Sequence, residues 1–151
     1  MTVGEKISLK ELYEVDDYLW IQETVKLLKE NRLAELDLDN LIEELQDLGS
    51  EKKLAVKSLL EQIIRHLLLL EYWQLQYENN RNHWEAEIVS FRTQINERMT
   101  TNFYNYLGDN LSAIYSKAVK YVQKKSRLDT FPPQCPYTLD QLLDEDWFPQ
   151  K

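Results

Sequence analysis

Apolar side chains recur every three or four residues from Tyr13 to Val122, and only Gly49 and Gly108 interrupt them. That spacing follows the 3.6-residue turn of a helix, not the two-residue alternation of a strand. It commits the chain to an all-α fold. The three glycines, and four prolines all beyond position 130, are too few and too late for a turn-rich β architecture. At 151 residues the chain can bury one core. The expected architecture is a single-domain helical bundle over 1–151, with four to five main helices and a Pro-rich C-terminal clamp.

Residues 1–7 read as a loose tail. Ser8 and Glu11 have the spacing of a capping box, so a first helix is expected from about Leu9 to about Asn31. Tyr18, Ile21, Val25 and Leu28 share one of its faces, while Trp20 and Leu27 lie on a neighbouring one, so this helix has two sides to bury. Asp37 is the next N-cap candidate, ahead of a stripe of Leu38, Leu41, Ile42, Leu45 and Leu48. Gly49 follows that stripe where a C-terminal glycine would sit, marking a turn or a kink. A third helix from Ser50 to about Tyr77 is apolar nearly all round in its second half, which makes it the hub.

The asparagines of residues 78–82 break the pattern. Trp84, Ile88, Phe91, Ile95 and Met99 then trace a fourth helix. A bend is expected over Thr100–Asp109, followed by a fifth helix that buries Leu111, Ile114, Tyr115, Ala118 and Val122. The prolines between Phe131 and Tyr137 forbid helix there. Thr138 and Gln141 match a second capping box. Residues 131–151 therefore read as an extended segment plus a short helix that docks Phe131, Leu142, Trp147 and Phe148 on the bundle.

The net charge of -8 is carried by the first third: residues 1–50 hold thirteen acidic and five basic side chains. Such a surface opposes nucleic-acid binding, which needs cations to neutralise phosphates, and suits a basic partner. A lone cysteine, Cys135, excludes an internal disulfide and a cysteine-based zinc site. The longest apolar run, Leu67–Leu70, is far short of a membrane span, and no basic-then-apolar leader pattern opens the chain. A cytoplasmic protein with no membrane contact is expected.

Three blocks resemble a known family. They are Tyr13 to Trp20; Asp37 to Gly49 running on to His66-Leu67-Leu68; and Phe131-Pro132 through Cys135-Pro136-Tyr137-Thr138 to Leu142-Leu143. Together they are similar to the bacterial, mainly cyanobacterial, family catalogued as domain of unknown function number twenty-nine, over about Leu12 to Pro149. The resemblance implies a compact helical bundle and supplies no catalytic residue. His83 stands where the family often has serine, and Lys52 and Lys53 where it often has arginines.

No Glu-x-x-His pair is present, so the usual di-iron chemistry of bundles has no ligands. The weak catalytic candidates are Glu43, Glu44 and His66, as a mononuclear site; against this, one histidine in an apolar run ordinarily bonds a nearby carbonyl or carboxylate. Adjacent Glu43 and Glu44 point about 100° apart on a helix and ordinarily form a solvated face. Cys135 sits among prolines and reads as a packed, inert thiol. Lys117, Lys120, Lys124, Lys125 and Arg127 end the fifth helix with no acid between Asn110 and Leu128. They either complement the helix dipole or contact an anionic partner. No glycine-rich phosphate loop and no cofactor or metal signature is present.

The leading expectation is a small non-catalytic interaction or regulatory protein with a protein partner or a second copy of itself. The alternatives are a metal-dependent hydrolase or nuclease built on His66 with a carboxylate of the second helix, and a nucleic-acid-associated protein using the basic helix end. The interaction reading predicts an exposed apolar patch larger than monomers tolerate.

Overall fold

The computed structural model describes residues 7–150; most of the expected N-terminal tail lies outside them. Among the described residues the chain is all-α, with five helices of seven residues or more and one short one. They fall into two compact units, residues 1–51 and 52–151.

In the first unit the expected first helix is two: α1 (Leu9–Val15) and α2 (Asp17–Lys29). Ser8 caps α1 by accepting from the Glu11 amide. Asp16 makes the break. Its backbone leaves the helical region, and its carboxylate accepts from the Leu19 N–H at 3.0 Å, capping α2. Two residues past the end of α2, Asn31 adopts a left-handed φ of 58°. The Asn31 N–H then reaches Leu28 O and the Arg32 N–H reaches Leu27 O, satisfying two terminal carbonyls. Beyond it Arg32 holds Glu35 with two bonds and Glu30 with a third.

Gly49 does not end a helix. A single helix, α3 (Leu38–Tyr72, 35 residues), runs through it, giving residues 38–51 to the first unit and 52–72 to the second. A glycine costs a helix only about 1 kcal/mol against alanine, and good helix formers flank it on both sides. A β-carbon at Gly49 would meet nothing within 4 Å. Gly49→Ala is therefore expected to stabilise the protein by about 0.5–1 kcal/mol, read as a higher urea midpoint with an unchanged slope.

The second unit is built on the rest of α3, as its apolar second half requires. Val56, Leu60, Ile63, Ile64 and Leu67–Leu70 are buried. They pack with Trp84, Ile88 and Ile95 of α4 (Tyr77–Arg98) and with Leu107, Ile114, Tyr115, Ala118 and Val122 of α5 (Thr101–Ser126). Each fully buried aliphatic side chain contributes roughly 1.5–3 kcal/mol. Two boundaries differ from the sequence expectation. α4 starts at Tyr77, so the asparagines lie within it, and Asn80 bonds back to the Gln76 carbonyl. The expected bend over 100–109 is helix, because Thr100 caps α5 through the Phe103 amide. Gly108 sits inside α5, where a β-carbon would meet Leu139 at 3.8 Å.

The Pro-rich segment closes this unit. Thr138 and Gln141 form the expected capping box of α6 (Leu139–Leu143). Leu142 is fully buried, and Phe131, Trp147 and Phe148 pack against the core. Tyr115 donates to Pro132 O at 2.6 Å, and Tyr137 donates to the Glu71 carboxylate at 2.8 Å. Burial pushes the Tyr115 phenol up to about 12, so it stays a donor at neutral pH.

Candidate functional site

The first unit buries only one of the two apolar sides of α2. Trp20, Thr24 and Leu27 point inward. The Trp20 indole N–H donates to Asp37 at 3.2 Å, and its ring meets Tyr13 edge-on at 5.0 Å. Tyr13 in turn donates to Glu44 at 2.7 Å, and that bond, ahead of burial, pushes its phenol up to about 12. The other side has no cover. Tyr18, Ile21, Val25 and Leu28 of α2, and Leu38, Ile42, Leu45 and Leu48 of α3, are each between 42% and 67% exposed. Of fifteen exposed large hydrophobic residues among those described, ten fall between Val15 and Leu48. Scattered exposed leucines are ordinary; a concentration on two neighbouring helices is not.

Between α2 and the first half of α3 lies a groove of about 330 Å³. Ile21, Val25, Leu28, Leu41, Leu45 and Leu48 line it, with Glu44, Asp47 and Glu51 also at its edge. Two helical stripes that sequence periodicity assigns to a core thus form an open apolar surface with acidic residues alongside.

Glu43 is exposed and Glu44 half-buried against Tyr13. His66 lies twenty-two residues beyond Glu44 on the same continuous helix. Glu43 and Glu44 fall in the first unit and His66 in the second. Among the described residues no three His, Cys, Asp or Glu side chains form a group able to hold a metal ion.

His66 instead bonds the carbonyl one turn back, with Nδ1 2.7 Å from Gln62 O, and packs on Phe91 at 5.3 Å. A carbonyl only accepts, so Nδ1 carries the proton. Burial pushes the imidazole pKa below its ordinary 6.5, against smaller upward pulls from the Gln62 carbonyl and Glu87. Below about pH 6.5 the unfolded chain therefore takes up a proton that the folded one refuses. The neutral ring's contribution is whole above that pH and is lost as pH falls. His66→Gln is expected to flatten the stability profile below about pH 6.5 relative to the parent chain, measured by urea unfolding at each pH.

At the end of α5, Lys117, Lys120, Lys124, Lys125 and Arg127 are all exposed, and none belongs to an ion pair among the described residues. Lys125 lies 5.9 Å from the Tyr121 ring, whose other neighbour is Arg65 at 3.9 Å. Arg65 pairs with Glu61. Cys135 is half-buried, and burial pushes its thiol up, which keeps it protonated and unreactive at neutral pH.

Arg92 is the polar residue that periodicity alone did not single out. It is fully buried on α4, yet no carboxylate meets it. Its guanidinium donates to Leu142 O at 2.8 Å, Trp147 O at 2.6 Å and Gln141 O at 3.0 Å. Its place on the Ile88–Ile95 stripe was the available signal.

The family model described as Domain of unknown function DUF29 matches residues 12–148. The chain belongs to that family. No curated protein and no solved structure matches it. The DUF29 match takes in the groove residues, His66, Arg92 and α6 alike. Membership gives these positions no chemistry, so their roles rest on geometry. No helix among the described residues is long and apolar enough to cross a membrane.

Proposed function

We propose that this DUF29 member is a non-catalytic interaction or regulatory protein of the cytoplasm, and that it works through the apolar face of α2 and the first half of α3. One observation carries this reading: eight large apolar side chains on two neighbouring helices stay exposed in the chain by itself. Association buries apolar surface for the same reason folding does. A helix with a second apolar side is stable in water chiefly when something covers that side. The half-buried, protonated Cys135 suits a compartment where thiols stay reduced. The test is to place charges in the face, Val25→Asp with Leu45→Asp, and to measure both stability and association.

A second reading, contact with a polyanion, is favoured by the exposure of all five cations at the end of α5. The net charge of -8 opposes it. A labelled single-stranded oligonucleotide is expected not to bind more tightly than about 1 μM at physiological salt. Tighter binding, lost on Lys117→Glu with Lys120→Glu and Lys124→Glu, would put this reading first.

A further inference from the structure

Acidic residues on and beside the groove constrain what fills it: Asp47 and Glu51 line it, and Glu43 extends their row by one turn. Glu43, Asp47 and Glu51 follow one another at four-residue intervals along α3 and are exposed. None has an ion-pair partner among the described residues. Like charges at that spacing repel and weaken the helix that bears them. Asp47 and Glu51 border the groove beside Leu45 and Leu48. The lysines of α2, Lys26 and Lys29, do not line the groove; they line an adjoining hollow that shares Ile21 and Val25 with it, where Glu30 stands beside them.

The imbalance extends to the whole unit. Residues 1–51 hold fourteen acidic and five basic side chains, a balance of -9, whereas residues 52–151 hold twelve and thirteen. A second copy meeting this face with its own would bring another row of carboxylates and another unit of the same sign. A cationic ligand removes the repulsion, and an apolar stripe at helical spacing fits the leucines.

Resting on the interaction reading above, we propose that the groove binds a basic amphipathic helix of another protein. Its apolar stripe lies on Val25, Leu28, Leu45 and Leu48, and its Lys or Arg edge faces Glu43, Asp47 and Glu51.

The experiment uses the full chain and two fluorescently labelled helical peptides of about eighteen residues, long enough to hold helix when bound. They share one leucine stripe and carry either lysine or glutamate elsewhere. In low salt the lysine peptide is expected to bind at least about tenfold more tightly, and the margin is expected to shrink as salt screens the charges. Asp47→Lys with Glu51→Lys is expected to reverse the preference. Val25→Asp with Leu45→Asp is expected to abolish binding of both peptides, although it makes the protein more acidic.

Equal affinity for the two peptides would overturn the charge assignment while leaving the apolar face as the interaction surface. Undiminished lysine-peptide binding to the Val25→Asp, Leu45→Asp variant would reduce the effect to bare charge attraction and overturn the groove as its seat. Binding of neither peptide, with a dimer in sedimentation that Leu45→Asp dissociates, would assign the face to a second copy. Binding of neither peptide by a protein that stays monomeric would sink both the inference and the reading beneath it.

Discussion

Arg92→Ala is expected to destabilise the protein by about 4 kcal/mol, lowering Tm by roughly 10 °C for a chain of this size. The guanidinium is fully buried and donates to three carbonyls, those of Gln141, Leu142 and Trp147. Gln141 and Leu142 lie in the last turn of α6, where helical donors run out; Gln141 O has only a long bond from the Asp144 N–H, at 3.4 Å. Hydrogen bonds to a charged group contribute about 1.5–3 kcal/mol each, and losses within one network are not additive. Burial lowers the Arg92 pKa to about 10, opposed by Asp144, Asp146 and Glu145, so the group remains cationic at neutral pH. Arg92→Lys keeps a charge but not the planar fork, and falls between parent and alanine variant. Urea unfolding measures the loss. Proteolysis between residues 127 and 136, faster in the variant than in the parent, locates it. An alanine variant within about 1 kcal/mol of the parent would show that water serves those carbonyls equally well.

Val25→Asp combined with Leu45→Asp is expected to leave stability within about 0.5 kcal/mol of the parent, as surface changes usually do. Association through the face is expected to fall at least about a hundredfold. Val25 and Leu45 are 42% and 59% exposed in the chain alone, so water solvates the new carboxylates there. In a complex they would be buried without partners, at a cost of several kcal/mol. A merely structural role gives the opposite pattern, with stability lost and association unchanged. Circular dichroism and urea unfolding read the first quantity, and sedimentation or peptide binding reads the second.

Helical periodicity made the all-α class legible, and side-chain chemistry made the caps at Ser8 and Thr138 legible. It was silent where the deciding term is not local. Tyr18, Ile21, Val25 and Leu28 carry the periodicity of a core face, but periodicity says that a face wants cover and not what supplies it. Gly49 looks like a helix end because glycine is common there, yet its cost is smaller than the gain from propagating one helix through it. Asp16 was readable as a cap, four residues ahead of Trp20, but the apolar spacing continues across it and hides the break. Arg92 stands four residues after Ile88 and three before Ile95, on the buried stripe. Its carbonyl partners lie 49 to 55 residues downstream, and no pattern in the chain connects them. Glu43, Glu44 and His66, weighed together as a mononuclear site, lie on one continuous helix, α3, because Gly49 does not end it.

The most direct test of the interaction reading is photo-crosslinking in the native host, with a photoreactive residue placed at Leu45 in one variant and at Ser116 in another. Both positions are exposed, one on the apolar face and one on the polar side of α5. A discrete crosslinked product from position 45 that is absent from position 116 is the expected result, with mass spectrometry identifying the second chain. No product from position 45, or the same products from both positions, would contradict the assignment of that face as the working surface.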